Sequence, residues 1–554
     1  MLTDPMQMRV DLVEAGNLPD LLHPTPVCCI DREQTRIALV MAFAGGAAGG
    51  LFSEALGRAT HAASSWVASA FSHDVFLEEF VAQCLKIRCL RGEPLLSTTH
   101  LVRLIAHPPT DLGIGEYRRG ILAELTERPE LRKQLEELYL LLRRLKTRIE
   151  AANGIGKWGA QRRQLDVLQI FKDLVDRMAH CDLVRLNAYA RRVKAGEPYR
   201  SLTELLDYDD HLATLDLKVR VASDGSVRGF ELVSVQENDN NPFVVSPLRR
   251  WLTKLELFVR GYRFSDGEIM ARLIDAVFEG IEADLVPLVQ LVGDLEFYLG
   301  ALGFSDLARA AGLSVCLPEF VAPERPRRLI QFYNPLLFAQ SAKVVPCDVH
   351  VDQSHAIVLV TGPNSGGKTR LLQGLALAQV LAQAGLFIPA SAGSISPVPG
   401  LVVSLIQETK VDQSEGRLGT ELIRIRELFE QLPAGAMVVL DELCSGTNPS
   451  EGEEIFELVL RMLSRLRPQT FITTHFLAFA ARLERERNIS GLRFLQVQIG
   501  PNQQPTYAFV PGVASTSLAA QTAARLGVTG DQLQALVERK LSAVRAVSHE
   551  HRGE

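Results

Sequence analysis

The sequence predicts an α/β domain built around a phosphate-binding loop, preceded by a mostly α-helical region that carries a small β-hairpin. Three observations lead to this fold class. Residues 362–369 fit the pattern G-x-x-x-x-G-K-[ST] between a short apolar run and a helical pattern. A second apolar run, residues 436–440, ends in two carboxylates. Leucines recur mostly at steps of three and four across residues 122–145, which is typical of helices packed along one side.

The phosphate-binding loop is the most specific of these signals. Its glycines allow successive backbone N–H groups to turn toward phosphate oxygens. Lys368 is expected to reach the β- and γ-phosphates of ATP, and the Thr369 hydroxyl is expected to bind Mg²⁺. The apolar residues 356–360 predict a buried strand before the loop, and the helix after it directs its N-terminus at the phosphates. The predicted nucleotide-binding residues are Gly362, Pro363, Asn364, Ser365, Gly366, Gly367, Lys368 and Thr369.

Two further strand ends supply candidate catalytic groups. Strand 436–440 is followed by Asp441 and Glu442. In P-loop enzymes a strand-end aspartate helps to hold Mg²⁺, and an adjacent glutamate can polarise the attacking water. A solvated carboxylate cap on the strand is the alternative. A third apolar run, residues 470–474, ends at His475, a candidate sensor of the γ-phosphate, although a lone histidine is usually structural. We therefore expect an ATPase in which Glu442 and His475 are catalytic and Asp441 binds metal.

The pattern divides the chain into four parts. Residues 1–95 form an N-terminal region without recognisable chemistry. Residues 96–325 form a helical core or lever domain, with a hairpin insert at 213–236 where two alternating runs flank an Asp-Gly turn. The ATPase domain occupies residues 326–535, and a polar tail occupies residues 536–554. The tail is expected to fray after Lys540. Long helical arms suit the coupling of distant sites, and a plain helical bundle is the alternative.

Composition narrows the classes of function. The chain has 554 residues and a net charge of −6, so it has length for about two to four domains and lacks a global basic field. Eight cysteines without metal-ligand spacing, and no visible secretory signal, predict a cytoplasmic protein with free thiols. The uncharged residues 37–53 carry glycines spaced as in membrane-helix packing. They fall short of a bilayer span, so we expect a buried helix, with membrane association as the alternative.

Together these motifs resemble the MutS family of DNA mismatch-repair ATPases. The phosphate-binding loop is similar to that family's loop, with Ser365 where methionine is common. Residues 441–452 resemble the version found in the MutS lineage that lacks mismatch recognition, and residues 473–476 resemble the family's switch motif. Residues 512–517 are similar to a segment that helps the dimer interface. Less specific similarity before the phosphate-binding loop extends the resemblance to about residues 96–530.

The resemblance implies an ABC/MutS-type ATPase fold and a homodimer with ATP sites at its interface. It also implies that turnover moves helical levers around branched or duplex DNA, which is bound by structure through phosphate contacts, in repair or recombination. The sequence departs from the family in three places. A mismatch-reading domain has no counterpart before residue 96, and a nuclease module is not expected after residue 530. Where the family places a run that reaches the partner's nucleotide, residues 412–421 diverge, with Ser414, Gly416 and Thr420 as possible substitutes.

The sequence leaves the partner of the ATPase open. Candidate DNA contacts are Arg143, Arg144, Lys146 and Arg148, but a solvated helix face is the favoured explanation for them. The alternative function is a P-loop ATPase that couples turnover to protein or membrane partners without binding DNA. The acidic net charge and the missing mismatch wedge favour that alternative. A nucleotide-gated structural dimer with little hydrolysis is a third possibility.

Overall fold

The computed structural model describes residues 18–550, apart from 46–48, 153–156, 211–213, 222–226, 237–265, 341–343, 406–416, 445–447, 502–503 and 516–525. Its helices are α1 (Arg32–Ala44), α2 (Leu51–Gly57), α3 (Leu77–Cys84), α4 (Thr98–Ala106), α5 (Leu112–Glu127), α6 (Pro129–Ile149), α7 (Lys157–Ala179), α8 (Val184–Ala195), α9 (Glu197–Asp210), α10 (Asp266–Ala310), α11 (Lys368–Ala384), α12 (Arg417–Gln431), α13 (Pro449–Leu466), α14 (Leu477–Glu486) and α15 (Gly530–Glu550). Its strands are β1 (Thr214–Val221), β2 (Val227–Gln236), β3 (Glu319–Phe320), β4 (Arg327–Phe332), β5 (Cys347–Val351), β6 (Ile357–Thr361), β7 (Ala392–Ile395), β8 (Leu401–Ser404), β9 (Met437–Leu440), β10 (Gln469–Thr473), β11 (Leu492–Ile499) and β12 (Pro505–Pro511).

The described residues fall into two units, each assembled from stretches that are separated along the chain. The first unit takes its residues from Met1–His61, Ile87–Leu101 and Gly120–Gly300. The second unit takes its residues from Ala62–Lys86, Val102–Arg119 and Ala301–Glu554. This division differs from the predicted boundaries at residues 95 and 325, because long-range packing decides it and the sequence pattern does not record such packing.

Buried leucines at helical spacing build the core of the first unit. Those of α5 and α6 are Leu122, Leu125, Leu131, Leu135, Leu138, Leu142 and Leu145. The long helix α10 carries the buried carboxylate Glu296, which accepts hydrogen bonds from the backbone N–H groups of Leu96 (2.7 Å) and Ser97 (2.8 Å) and from the Tyr139 hydroxyl. A carboxylate can be buried at this depth because its oxygens are satisfied by donors.

The predicted hairpin lies in the first unit. Strands β1 and β2 pair antiparallel, with Thr214 opposite Gln236 and Val219 opposite Phe230. The Asp-Gly turn between them lies outside the described residues, as does the helical pattern predicted from residue 248 to the start of α10.

Two apolar segments bear on the membrane alternative. Helix α10 is long and apolar enough to cross a bilayer by length and composition, but its apolar window is entirely buried within the protein, as in a core helix. Residues 37–53 do not form the single buried helix that we predicted. Helix α1 ends at Ala44, where Gly45 forms its C-cap in the left-handed conformation (φ 112°). Helix α2 begins only at Leu51, and Met41 on α1 is exposed.

A six-stranded sheet organises the second unit, with strand order β12-β11-β6-β10-β9-β8. All neighbouring pairs are parallel except β11 and β12. Helices α13 and α14 cover one face, where Phe456 and Phe479 pack with ring centroids 5.5 Å apart. Because β6, β9 and β10 are parallel neighbours around the sheet centre, the residues that follow them lie along one edge. A second, four-stranded sheet has the order β3-β7-β4-β5.

The C-terminal residues differ from the predicted frayed tail. Helix α15 runs from Gly530 to Glu550, because this stretch is rich in leucine, alanine, glutamate and arginine, which favour helices. The cysteines are all free thiols.

Candidate nucleotide-binding site

The phosphate-binding loop connects the fully buried strand β6 to helix α11. Gly362 (φ 137°) and Gly367 (φ 82°) adopt backbone conformations that favour glycine. A Cβ atom at Gly362 would lie 2.7 Å from the Val497 side chain, and one at Gly366 would lie 2.8 Å from it. The glycines are therefore required both by backbone conformation and by the close approach of β11. Of Asn364, only the backbone is described.

Lys368 is the first residue of α11 and is buried at 3% exposure. Its Nζ atom donates to the carbonyl oxygens of Gly362 (3.0 Å) and Pro363 (3.1 Å), so the ammonium lies across the loop. Burial lowers the pKa of Lys368, while Glu442 and Asp441 act in the opposite direction. Phosphate oxygens in the loop would add negative charge beside this buried ammonium group.

The predicted metal ligands meet at the end of strand β9. The Thr369 hydroxyl donates to Oδ2 of Asp441 at 2.6 Å. The Thr473 hydroxyl, at the end of β10, donates to the other carboxylate oxygen, Oδ1. The backbone N–H of Asp441 donates to the Ser404 carbonyl oxygen at 3.0 Å. Thr369 and Thr473 therefore fix the Asp441 carboxylate, and Ser404, at the end of β8, fixes the Asp441 backbone.

Glu442 follows on a strained backbone. Its φ angle of 50° is in the left-handed region, which non-glycine residues rarely adopt, and Cys444 (φ 61°) shares that region. The backbone N–H of Glu442 donates to the Thr473 hydroxyl at 2.9 Å, which holds the turn in place. The strain turns the chain sharply immediately after Asp441.

His475 follows β10 at the same sheet edge and is exposed. Its ring lies 4.3 Å from the Phe476 ring, and within the described residues no hydrogen bond joins it to the phosphate-binding loop. Its role as a γ-phosphate sensor stays a prediction. Strand β6, which neighbours β10, ends at Thr361, and the Thr361 hydroxyl accepts a hydrogen bond from the backbone N–H of Ala514 at 2.9 Å. Ala514 lies in residues 512–517, which resemble the family's dimer-interface segment. Ser414, Gly416 and residues 445–447 lie outside the described residues, and so does the side chain of Thr420.

Sequence reasoning missed a cavity of about 260 Å³ beside the loop. It is lined by Phe332, Tyr333, Asn334, Leu337, Val345, Cys347, Gly366, Gly367, Arg370, Leu371, Tyr507 and Phe509. Tyr507 is 45% exposed and stands on a left-handed backbone (φ 62°). A Cβ atom at Gly367 would lie 3.3 Å from the Tyr507 ring, so the ring borders the loop. The only sequence signal was an aromatic residue in an alternating strand.

The candidate DNA contacts on α6 are mostly engaged within the first unit. Arg143 donates to Glu93 (2.8 Å) and to the Pro94 carbonyl oxygen (3.1 Å), and Lys146 pairs with Glu150 (2.7 Å). Arg148 lies 3.7 Å from Asp166, whereas Arg144 is exposed. The solvated, ion-paired helix face therefore explains these residues better than a shared anion site does.

Taken together, a glycine-lined loop at the end of a central parallel strand, a buried lysine and a strand-end carboxylate define a P-loop nucleotide-binding domain of the ATPase type. A family model described as MutS domain V matches residues 358–539. Residues 358–539 therefore form a MutS-family domain, and the resemblance to the MutS family predicted from the motifs of this domain is confirmed. The domain is joined to an N-terminal region that is largely helical, with mixed sheets.

Several curated relatives carry the name Endonuclease MutS2. The protein from Thermomicrobium roseum is 33% identical over 245 residues, which covers 42% of this chain and 30% of the relative. The protein from Gemmatimonas aurantiaca is 30% identical over 282 residues, which covers 50% of this chain and 34% of the relative. The protein from Thermus thermophilus is 31% identical over 262 residues, covering 44% and 34%. The chain thus spans about a third of the length of the relatives it matches.

Proposed function

We propose that this protein binds and hydrolyses ATP with Mg²⁺. The observation that carries the proposal is the 2.6 Å contact between the Thr369 hydroxyl and the Asp441 carboxylate, next to the buried Lys368. Hydroxyl and carboxylate oxygens are hard donors of the kind that Mg²⁺ prefers. Gly362 (φ 137°) and Gly367 (φ 82°) have the left-handed backbone conformations that let a loop turn its N–H groups toward phosphate oxygens. The residues present therefore fit a magnesium nucleotide.

Each residue has a distinct task in this proposal. Lys368 holds the β- and γ-phosphates, and Thr369 and Asp441 hold Mg²⁺, which when bound neutralises charge on the phosphates. Glu442 accepts a proton from the water that attacks the γ-phosphorus, and its strained turn presents the carboxylate at the sheet edge. The nucleotide base occupies the cavity bordered by Tyr507, whose exposed ring offers a stacking surface.

Replacing the proposed base tests hydrolysis. Glu442→Gln should slow turnover by about 10²-fold or more while ATP still binds, since loss of a general base removes a ~10²–10⁴-fold contribution. Glu454→Gln, an exposed carboxylate on α13, is the matched control and should hydrolyse ATP at the normal rate. Steady-state phosphate release and binding of a fluorescent ATP analogue separate the two steps. Unchanged turnover in Glu442→Gln would remove the general-base assignment.

We propose further that the protein acts as a homodimer and binds branched or duplex DNA in repair or recombination. The match to MutS domain V supports this, and the MutS-like motifs include residues 512–517, in which the Ala514 N–H donates to the Thr361 hydroxyl. Light scattering with and without ATP reports the dimer. A panel of branched and linear DNAs, titrated with salt, reports DNA binding, because phosphate contacts make affinity fall steeply as salt rises. Absence of binding down to low salt would refute the DNA partner.

One observation favours the rival function, an ATPase that couples turnover to protein partners without DNA. Arg143 and Lys146, two of the candidate contacts, are held by carboxylates and carbonyl groups of the same unit. The same DNA panel separates the two functions. The membrane version of the rival has less support, because residues 37–53 are interrupted at Gly45 and the apolar helix α10 is buried.

A further inference from the structure

Residues 62–86, named here the N-terminal strap, belong to the second unit although they lie far from the ATPase motifs in sequence. The Trp66 indole N–H donates to the Val398 carbonyl oxygen at 3.3 Å, and the Ser65 hydroxyl donates to that of Pro399 at 2.6 Å. Phe71 and Val75 are completely buried. The strap is therefore fastened to the segment that leads into β8.

Asp74 in the strap makes two contacts that converge on the candidate site. Its carboxylate Oδ1 accepts the backbone N–H of Leu405 at 2.9 Å. Its backbone carbonyl oxygen accepts the side-chain N–H of Gln373, on the P-loop helix α11, at 3.2 Å. Leu405 immediately follows strand β8, whose last residue is Ser404.

The Leu405 N–H and the Ser404 carbonyl belong to the same peptide group. That carbonyl accepts the backbone N–H of Asp441 at 3.0 Å. A single peptide plane therefore joins the Asp74 carboxylate to the backbone of the proposed metal ligand. Hydrogen bonds linked in this way polarise one another, and a charged acceptor at one end strengthens the chain. Asp74 thus fixes the orientation of the peptide that holds Asp441.

We propose that Asp74 is a positioning residue for the Mg²⁺ end of the nucleotide site, acting through the Ser404–Leu405 peptide on Asp441. This inference rests on the proposed function, in which Asp441 holds the metal. The strap also borders the acidic pair directly, since Ser69 and Ala70 line a cavity of about 170 Å³ together with Asp441 and Glu442. Through Gln373 the same residue is connected to the helix that begins at the P-loop.

The test measures Mg²⁺ dependence in the full chain. Thermal stabilisation by ADP is titrated with Mg²⁺ and repeated in EDTA, and ATP turnover is titrated with Mg²⁺ in parallel. Asp74→Ala should raise the Mg²⁺ concentration for half-maximal effect by about tenfold, because residues that hold a metal ligand in place typically contribute ~10–100-fold to metal affinity. ADP binding in EDTA should stay normal. Asp74→Asn, whose amide oxygen still accepts from Leu405, should show a rise of about threefold.

Glu78→Ala is the matched control. It removes one carboxylate from an exposed position four residues further along the strap and should behave like the wild type. A purely structural role for Asp74 predicts equal losses with Mg²⁺ and in EDTA, and that result would overturn the inference. So would an unchanged half-maximal Mg²⁺ concentration, which is read from Asp74→Asn if Asp74→Ala does not fold. If the wild type binds magnesium nucleotide without hydrolysing it, the hydrolysis proposal fails, and the binding titration still decides the role of Asp74.

Discussion

Replacing Gly303 by alanine tests how closely the N-terminal strap approaches helix α10. A Cβ atom at Gly303 would lie 1.4 Å from the carbonyl oxygen of Lys86, whereas ordinary contacts begin at 3.4 Å. One of the two backbones would therefore have to move by about 2 Å. The obstructing atom belongs to the main chain, so no change of side-chain rotamer relieves the clash.

Opposing effects set the size of the loss. Alanine favours a helix over glycine by ~1 kcal/mol, and inserting a methyl group into a packed region costs ~1–3 kcal/mol, more when backbone must shift. We expect Gly303→Ala to lose about 2 kcal/mol or more of unfolding free energy. Gly120 in α5 is the control, because a Cβ atom there meets nothing within 4 Å. Gly120→Ala should gain ~0.5–1 kcal/mol.

Urea unfolding of both full-length variants, followed by circular dichroism and tryptophan fluorescence, measures these changes. Trp66 is 5% exposed and lies in the strap. With Trp158 and Trp251 replaced by phenylalanine in both variants, its fluorescence reports the unfolding of the strap. Equal midpoints for Gly303→Ala and Gly120→Ala would refute the close approach of the strap to α10. A loss seen only at the tryptophan transition would instead show that the strap detaches before the rest of the unit unfolds.

Three further predictions concern the second unit. Burial lowers the pKa of Lys368 in the folded, nucleotide-free protein, so the unfolded chain keeps the ammonium proton to higher pH. The free energy of unfolding should therefore increase with pH between the folded pKa and the unfolded value of 10.5. Lys368→Met should remove this pH dependence from melting curves, raise the melting temperature and abolish stabilisation by ATP. Tyr507→Ala should weaken binding of a fluorescent ATP analogue by ~1–3 kcal/mol, with Tyr507→Phe close to normal because the ring is retained. Burial lowers the pKa of Arg327 to about 10, and its guanidinium group donates hydrogen bonds to the neutral side chains of Gln379 and Gln469. Because this charge is buried against neutral groups, Arg327→Met should unfold at a urea concentration no lower than that of the wild type.

Local signals explain which parts of the site were predictable. The loop 362–369 and the acidic pair are contiguous motifs beside apolar runs, so their strands and order followed from pattern alone. The motifs predict that Asp441 and Thr369 both bind Mg²⁺, which requires them to lie close together, and the structure brings their side chains to 2.6 Å. Tyr507 was missed because its proximity to Gly367 depends on β12 folding back against β11, which no local motif records.

Two features depend on information that the local pattern does not carry. A uniformly apolar segment predicts one helix over residues 37–53, yet its paired glycines favour a left-handed C-cap, and α1 ends at Ala44 with Gly45 in that conformation. A charge on a helix face carries no record of its partner, so the sequence leaves Arg143 open between a DNA contact and a solvated helix face, and its ion pair favours the second. Its partners, Glu93 and Pro94, lie about fifty positions away in sequence.

The N-terminal strap covers part of an edge of the six-stranded sheet. Strand β8 lies at one edge of the six-stranded sheet, and an edge strand exposes unpaired backbone groups unless another segment covers it. The short turn Ala68–Ala70 of the strap packs against β8, and Asp74 accepts the N–H that follows the strand. The Asp74 carboxylate at this edge also accepts from the Ser404–Leu405 peptide, whose carbonyl oxygen accepts the backbone N–H of Asp441. Asp441 lies within the matched residues 358–539, yet its backbone is held by hydrogen bonds that begin at Asp74 in residues 62–86.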